Sequence, residues 1–283
     1  MHSEANSKRP VVKVMSFNIA HGMGMDGKVD LERTARVIEE SGATIVALQE
    51  VDRYFSNRSS YIDQVEWLAE RLGMYAAYGA NLNQAADNNE RPNRQYGNAT
   101  LSLYPIKYAE NHFLTQVVTE VYNNEQRGVL EAVIEVDGTY LKVLNTHLSL
   151  KDEELEVSVQ ELLDIAGKSH FPKIIAGDFN APPSHRHLHS LHRLMTDVFL
   201  KAKNGDANTY PSPYENSETG ESFRPMTRID YIFADHGFDV HSAQTIETAA
   251  SDHLPIAAEL AWTKKNNQAA VLLPMTQPFK QNN

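Results

Sequence analysis

The residues best suited to chemistry stand in Gly177-Asp178-Phe179-Asn180, at the end of an apolar run, Lys173 to Ala176, whose β-branched content reads as a buried strand. Asp178 and Asn180 are two apart, so in extended chain they share a face, an acceptor-only carboxylate beside an amide that donates and accepts. Gly177 permits close backbone approach, and Pro182-Pro183 forbids pairing beyond it. In isolation the tetrapeptide is also ordinary turn composition. Its company gives it meaning, because other buried runs or their exits stop in Asn18, Glu50, His147, Asp230 and Asp252-His253. Such groups bind metal, activate water or hold a phosphate, and strand ends are where sites assemble in α/β sheets. If Glu50, Asp178, Asp230 and Asp252 converge, their ionised forms coexist only with a cation or with hydrogen-bonded partners. Oxygen ligands in a chain without cysteine select a hard cation, Mg²⁺ or Mn²⁺.

The elements that must position these groups follow from periodicity. Val11 to Phe17 alternates as a strand and ends at Asn18. Asp30 caps a helix with Leu31, Ala35 and Ile38 on one face, stopped by Gly42, and the strand Thr44 to Leu48 then delivers Gln49-Glu50. Ser60-x-x-Asp63 reads as a capping box opening a helix that buries Ile62, Val65, Leu68, Ala69 and Leu72. Asn81 to Gly97 is polar and is expected to be a mobile surface loop bordering a cleft, with Asn98 to Leu103 resuming the sheet. Asp137-Gly138 signals a hairpin between Val129–Val136 and Tyr140–Leu144, and the latter ends in Asn145-Thr146-His147.

A helix from Asp152 to Gly167 carries Leu155, Val159, Leu162 and Ala166 inward. His185, His189 and His192 share a helix face, but Leu188, Leu191 and Met195 supply a core stripe on another arc. They are therefore expected to face solvent, with no neighbouring carboxylate or cysteine to complete a zinc site. Asn204 to Pro225 reads as a long loop. The strand Arg228 to Phe233 sets Arg228, Asp230 and Ile232 on one face, so a covered Asp230 needs a partner, for which Arg228 on the same face is one candidate.

With 283 residues, one domain over 11–262 is expected, with flexible tails at 1–10 and 263–283. The net charge of −11, from 26 basic and 37 acidic residues, argues against avid, sequence-independent binding of duplex DNA. It favours a small or lipid-like phosphorylated substrate over a long polyanion. No run approaches the ~18 apolar residues of a membrane span. The polar N-terminus lacks the apolar core of a signal peptide, so a cytoplasmic protein is the simplest expectation, a secreted form supplied without its leader being the alternative; a monomer is also expected.

In this order, Asn18, Leu48-Gln49-Glu50, Asn145-Thr146-His147, Gly177-Asp178-Phe179-Asn180, Arg228-Ile229-Asp230-Tyr231 and Ser251-Asp252-His253 resemble the endonuclease/exonuclease/phosphatase superfamily. The resemblance implies an α/β fold, a four-layer α/β/β/α sandwich of two mixed sheets face to face with helices outside, and metal-dependent cleavage of a phosphoester. It makes Glu50 the principal metal ligand with Asn18 beside it and Asp252 near the metal or its water. Asp178 would orient and deprotonate the attacking water, Asn180 would hold it, and His147 would contact a phosphate oxygen. His253, paired with Asp230, would stabilise transition-state charge or protonate the leaving oxygen. Ala20 stands where several related nucleases carry an acidic residue, and Leu103 where many relatives carry Arg or Lys. The pattern looks more like the bacterial hydrolase branch, which makes Arg53, Arg94 and Arg127, with Asn98, the candidates for substrate binding. A nuclease acting on single-stranded or damaged nucleic acid is the alternative within this chemistry, and a catalytically inactive phosphate-binding module is the alternative outside it.

Overall fold

The computed structural model describes residues 9–86, 91–117, 125–203, 207–215 and 219–263. The first half contains β1 (Val11–Asn18), α1 (Leu31–Ser41), β2 (Ile45–Arg53), α2 (Gln64–Leu72), β3 (Tyr75–Gln84), β4 (Arg94–Ser102), β5 (Ile106–Phe113) and β6 (Gly128–Val136). The second contains β7 (Thr139–His147), α3 (Asp152–Gly167), β8 (Lys173–Asp178), α4 (His189–Leu194), β9 (Thr196–Asp197) and α5 (Val198–Lys201). It continues with β10 (Tyr214–Glu215), β11 (Ser222–Phe223), β12 (Asp230–Ala234), β13 (Phe238–Thr245) and β14 (Ile256–Trp262). Two six-stranded mixed sheets result, ordered β13-β14-β1-β2-β4-β3 and β5-β6-β7-β8-β12-β9.

Strand alternation explains the layering. Val12 and Val14 of β1, Ile45 and Ala47 of β2, Leu141 and Val143 of β7, Ile174 and Ala176 of β8, and Ile232 and Ala234 of β12 form the core between the sheets. Met15, Phe17, Val46 and Leu48 point the other way, onto Ala35 and Ile38 of α1 and Leu68 of α2. On the second sheet Leu144, Ile175, Tyr231 and Phe233 meet Leu155, Val159 and Leu162 of α3. These three apolar layers between four polypeptide layers are the α/β/β/α sandwich. Each fully buried aliphatic side chain contributes about 1.5–3 kcal/mol.

The same alternation carries the inter-sheet face from aliphatic to polar at one end: Asn18 follows Val14, Asn145 and His147 follow Val143, Asp178 follows Ala176, and Asp230 precedes Ile232. All five side chains are buried. Gln49 donates from Nε2 to Asn145 Oδ1 at 2.7 Å, while Asn145 Nδ2 donates to the carbonyls of Leu48 (3.0 Å) and Ala99 (2.8 Å). This bridge ties the two sheets together beneath the polar end. Gly177 is required here because a Cβ would stand 2.0 Å from Thr146 O on the adjacent parallel strand β7.

Several local expectations are corrected. Much of Asn81–Gly97 is strand, since β3 and β4 pair from Tyr75↔Ser102 to Gln84↔Arg94. The helix expected to open at Ser60 begins at Gln64, where the Asp63 carboxylate accepts from Val65 N and Glu66 N as N-cap. Asn204–Pro225 includes the small β10–β11 hairpin and a buried Thr209. Residues 1–8 and 264–283 of the expected tails lie outside the described residues. Among those described, no helix is long and apolar enough to cross a membrane.

Candidate active site

Register brings the charged groups together. Asp178 stands directly opposite Asp230 across the antiparallel β8–β12 pair and opposite His147 across the parallel β7–β8 pair. Two carboxylates so placed repel unless a cation lies with them. His253 supplies it: Nδ1 is 3.0 Å from Asp230 Oδ2 and Nε2 is 3.7 Å from Asp178 Oδ2. Burial alone would lower the His253 pKa, but Asp230 and Asp178 outweigh it and raise it to about 10. Asp178 is raised to about 7, chiefly by burial and against the pull of His253, with Asp230 adding to the rise. A buried carboxylate titrating near neutrality is what a general base needs.

Asn18 connects this pair to Glu50. Its Nδ2 donates to Glu50 Oε1 at 3.0 Å and to Asp178 Oδ2 at 3.1 Å, while its Oδ1 accepts from Ala20 N at 3.1 Å. Asn18 thus stands as a bridging donor between the two carboxylates, with its Oδ1 accepting from backbone. Glu50 reaches the site through an irregularity: the β2–β4 register shifts between Leu48 and Val51, and Glu50 has φ 58°. Regular alternation would send it with Leu48 toward the helices, so the bulge re-aims it. Ala20 (φ 44°), His21 (φ 47°) and Asn180 (φ 50°) are also left-handed, and such strain collects at functional sites.

Asn180 turns back after the strand, its N–H donating to Asp178 Oδ1 at 2.9 Å. Its Nδ2 is 2.9 Å from His147 Nε2 and donates to Leu148 O at 3.0 Å. Burial first, then Arg127 and His253, hold the His147 pKa well below 6.5, so the ring is neutral. Its Nε2 therefore accepts from the amide. Ser251 fastens the last loop, with Oγ donating to Asn18 O at 2.7 Å and accepting from His253 N at 3.2 Å. Asp252 beside it is half-buried and is reached by Ser251 Oγ at 3.2 Å.

The oxygen-rich side of the cluster fits a divalent metal by the chemistry of its donors. Glu50 and Asp252 are partly exposed, and among the described residues neither forms an ion pair with a basic side chain. Single ligand atoms of Asp178, Asp230 and His253 also lie within 4.8 Å of one another. There, however, the histidine proton already satisfies the carboxylates, whereas carboxylates without a cationic partner call for a hard ion.

The substrate candidates separate. Arg127 is largely buried, paired with Glu125 at 2.7 Å, and close enough to His147 to depress its pKa. Arg53 is committed to Asp63, with contacts at 2.6 and 2.7 Å, and so supports the α2 cap. Arg94 donates to Gln84 Oε1 and Ala85 O, and Asn98 Nδ2 donates to Gly128 O at 3.3 Å. Arg228, considered as a partner for Asp230, instead grips buried Asp197 at 2.6 and 3.0 Å.

In the histidine segment Leu188, Leu191 and Met195 are buried and His189 is exposed, as expected, but His185 and His192 are half-buried and a carboxylate does lie nearby. His185 and His187 each place Nε2 3.2 Å from Asp152 Oδ1, and Arg186 also pairs with Asp152. The carboxylate comes from the start of α3, far off in sequence. His192 packs edge-on against Phe233 with ring centroids 5.3 Å apart. No role was assigned to His21, whose buried Nδ1 has no hydrogen-bond partner among the described residues and whose pKa is lowered by burial first and then Arg58, against Asp52, Glu50 and Asp252. Tyr210 was missed too; it lies against His253 with ring centroids 4.9 Å apart.

Two face-to-face sheets with a carboxylate, amide and imidazole cluster at one end define an α/β/β/α sandwich protein with a polar site at its strand ends. The chain belongs to the Endonuclease/Exonuclease/phosphatase family, whose sequence profile matches residues 15–253. It is 26% identical over 263 residues to Escherichia coli (strain K12) YbhP, a protein named as uncharacterized, covering 88% of this chain and 95% of that protein. The crystal structure of an endonuclease/exonuclease/phosphatase from Beutenbergia cavernae is similar at TM-score 0.69 and 25% identity, covering 90% of this chain and 72% of that one. The human Nocturnin catalytic domain with bound sulfate shares the fold at TM-score 0.62 and 23% identity, covering 90% and 94%.

Proposed function

We propose that the protein is a metal-dependent phosphoester hydrolase, a phosphodiesterase or phosphatase, acting on a small or lipid-derived substrate. The observation that carries this reading is the polar path from Glu50 through Asn18 Nδ2 to Asp178 and on to the His253 ring. It joins a metal-type carboxylate, a base titrating near 7 and an imidazolium in one cleft.

Asp178 accepts the proton of the attacking water, which Asn180 helps to hold. His253 enters charged and either opposes the charge growing on the phosphoryl oxygens or gives its proton to the leaving oxygen. Asp230 keeps Nδ1 protonated, leaving Nε2 to face the reacting centre. His147, neutral, and Arg127 flank the phosphate side. Glu50 and Asp252 would hold a divalent cation, which would supply charge neutralisation at the phosphoryl group. The net charge of −11 supports a small substrate over duplex DNA.

The test is a panel of bis-p-nitrophenyl phosphate, p-nitrophenyl phosphate, sphingomyelin, inositol phosphates and plasmid DNA, with Asp178→Asn as control. Turnover of a small or lipid ester that vanishes in the variant is expected. Plasmid cleavage faster than every small ester would replace this reading with the nuclease one.

A further inference from the structure

Asp230 and His253 belong to different sheets. Asp230 opens β12, which pairs with β8 and β9, whereas His253 lies just before β14, which pairs with β1 and β13. No ladder connects the two strands, yet Asp230 Oδ2 and His253 Nδ1 are held at 3.0 Å. Thr209 touches both sides. Its side chain, with 0% exposure, accepts at Oγ1 from Ile229 N (3.1 Å) and Asp230 N (3.3 Å). Its carbonyl accepts from Leu254 N at 2.7 Å, and three residues on, Ser212 N donates to Asp252 O at 2.7 Å. The next residue, Tyr210, lays its ring against that of His253.

We propose that Thr209 is a positioning residue that clips the Asp230 strand to the His253 loop and so sets the geometry of the Asp230–His253 pair. A buried hydroxyl is costly unless hydrogen-bonded, and this one is met by two backbone N–H groups. Those donors belong to the residue bearing the carboxylate and its predecessor, and the carbonyl of the same threonine holds the residue after the imidazole. One residue therefore fixes both backbones to a common point. The Tyr210 ring closes one face of His253 and limits its rotation.

The clip is testable without a substrate; only the kinetic arm rests on the phosphoester-hydrolase reading. In proton NMR the His253 Nδ1–H bound to Asp230 gives a downfield signal, assigned by its loss in His253→Ala. Thr209→Val keeps the side-chain shape and removes the acceptor, so the signal should broaden or vanish, while Thr209→Ser should retain it. A folded Thr209→Val with an undiminished signal overturns the proposal. If Thr209→Val does not fold, the decision passes to Thr209→Ser and to amide exchange in the unmodified protein. Loss of the signal in the serine variant, or fast exchange at Asp230 or Leu254, overturns it; retention with slow exchange supports it.

On any chromogenic phosphoester the protein turns over, Thr209→Val should lower kcat by up to about 10²-fold with KM unchanged. It should add little in a His253→Ala background, and losses that multiply there contradict the proposal. If no phosphoester is turned over, the hydrolase reading fails while the NMR arm still decides the clip.

Discussion

His253 Nδ1 lies 3.0 Å from Asp230 Oδ2, although the basic residue nearest Asp230 in sequence, Arg228, is occupied with Asp197. The imidazole therefore owes its orientation to the Asp230 carboxylate, and its charge to Asp230 together with Asp178. Asp230→Asn and His253→Ala should each lower turnover by on the order of 10²–10⁴, the range of a general acid or base. The double variant should be little worse than His253→Ala, because both remove one transition-state interaction. A kinetic double-mutant cycle checks this; independent, multiplying effects would mean the residues do not act as a unit.

The buried pair also makes stability depend on pH. The His253 pKa rises from 6.5 in the unfolded chain to about 10 in the fold, so its contribution is complete below about 6.5 and is lost as pH climbs through about 10. Calorimetry of the metal-free protein should show the gap in Tm between the unmodified protein and His253→Ala narrowing across that window. A gap independent of pH would show that the histidine is not held charged.

Asp178 has the opposite sign. Raised from 3.8 to about 7, it weakens the fold increasingly as pH rises between those values, and the cost is complete above about 7. Asp178→Asn should thus abolish activity yet raise the Tm of the metal-free protein at pH 8, with the gain shrinking toward pH 4. A lower Tm at pH 8 would contradict the assignment of Asp178 as a desolvated base.

Arg228 and Asp197 are scaffold. Both are buried, with contacts at 2.6 and 3.0 Å, and Asp197 also accepts from Phe199 N at 3.0 Å. Removing one partner strands a buried charge, so Asp197→Ala should cost about 3–5 kcal/mol in chemical denaturation. A loss under about 1 kcal/mol, the scale of an exposed pair, would show that solvent reaches the site.

Asn18, His147 and Asp178 were legible because each ends an alternating strand, and Asp230 because it opens one, where a period of two fixes the face on which the polar residue emerges. Glu50 was legible by type but not by direction, since only the bulge between Leu48 and Val51 turns it into the cleft. The Arg228 partner was not legible. Asp197 lies in the two-residue strand β9, too short to leave a periodic trace. Asn81–Gly97 was read as loop because its residues are polar, yet β3 is an edge strand whose polar side chains can face solvent. Thr209 and the Asp152–His185–His187 cluster depend on contacts between distant segments, and neither leaves a spacing signal.

The central claim, a metal-assisted hydrolase centre built on Glu50, is tested most directly by assaying a turned-over phosphoester in excess EDTA and then titrating Mg²⁺ or Mn²⁺ back into the protein and into Glu50→Gln. Activity should vanish with chelator and return with metal, and Glu50→Gln should need several-fold more metal or fail to recover. Full activity in EDTA, or an unchanged metal requirement in Glu50→Gln, would contradict the account.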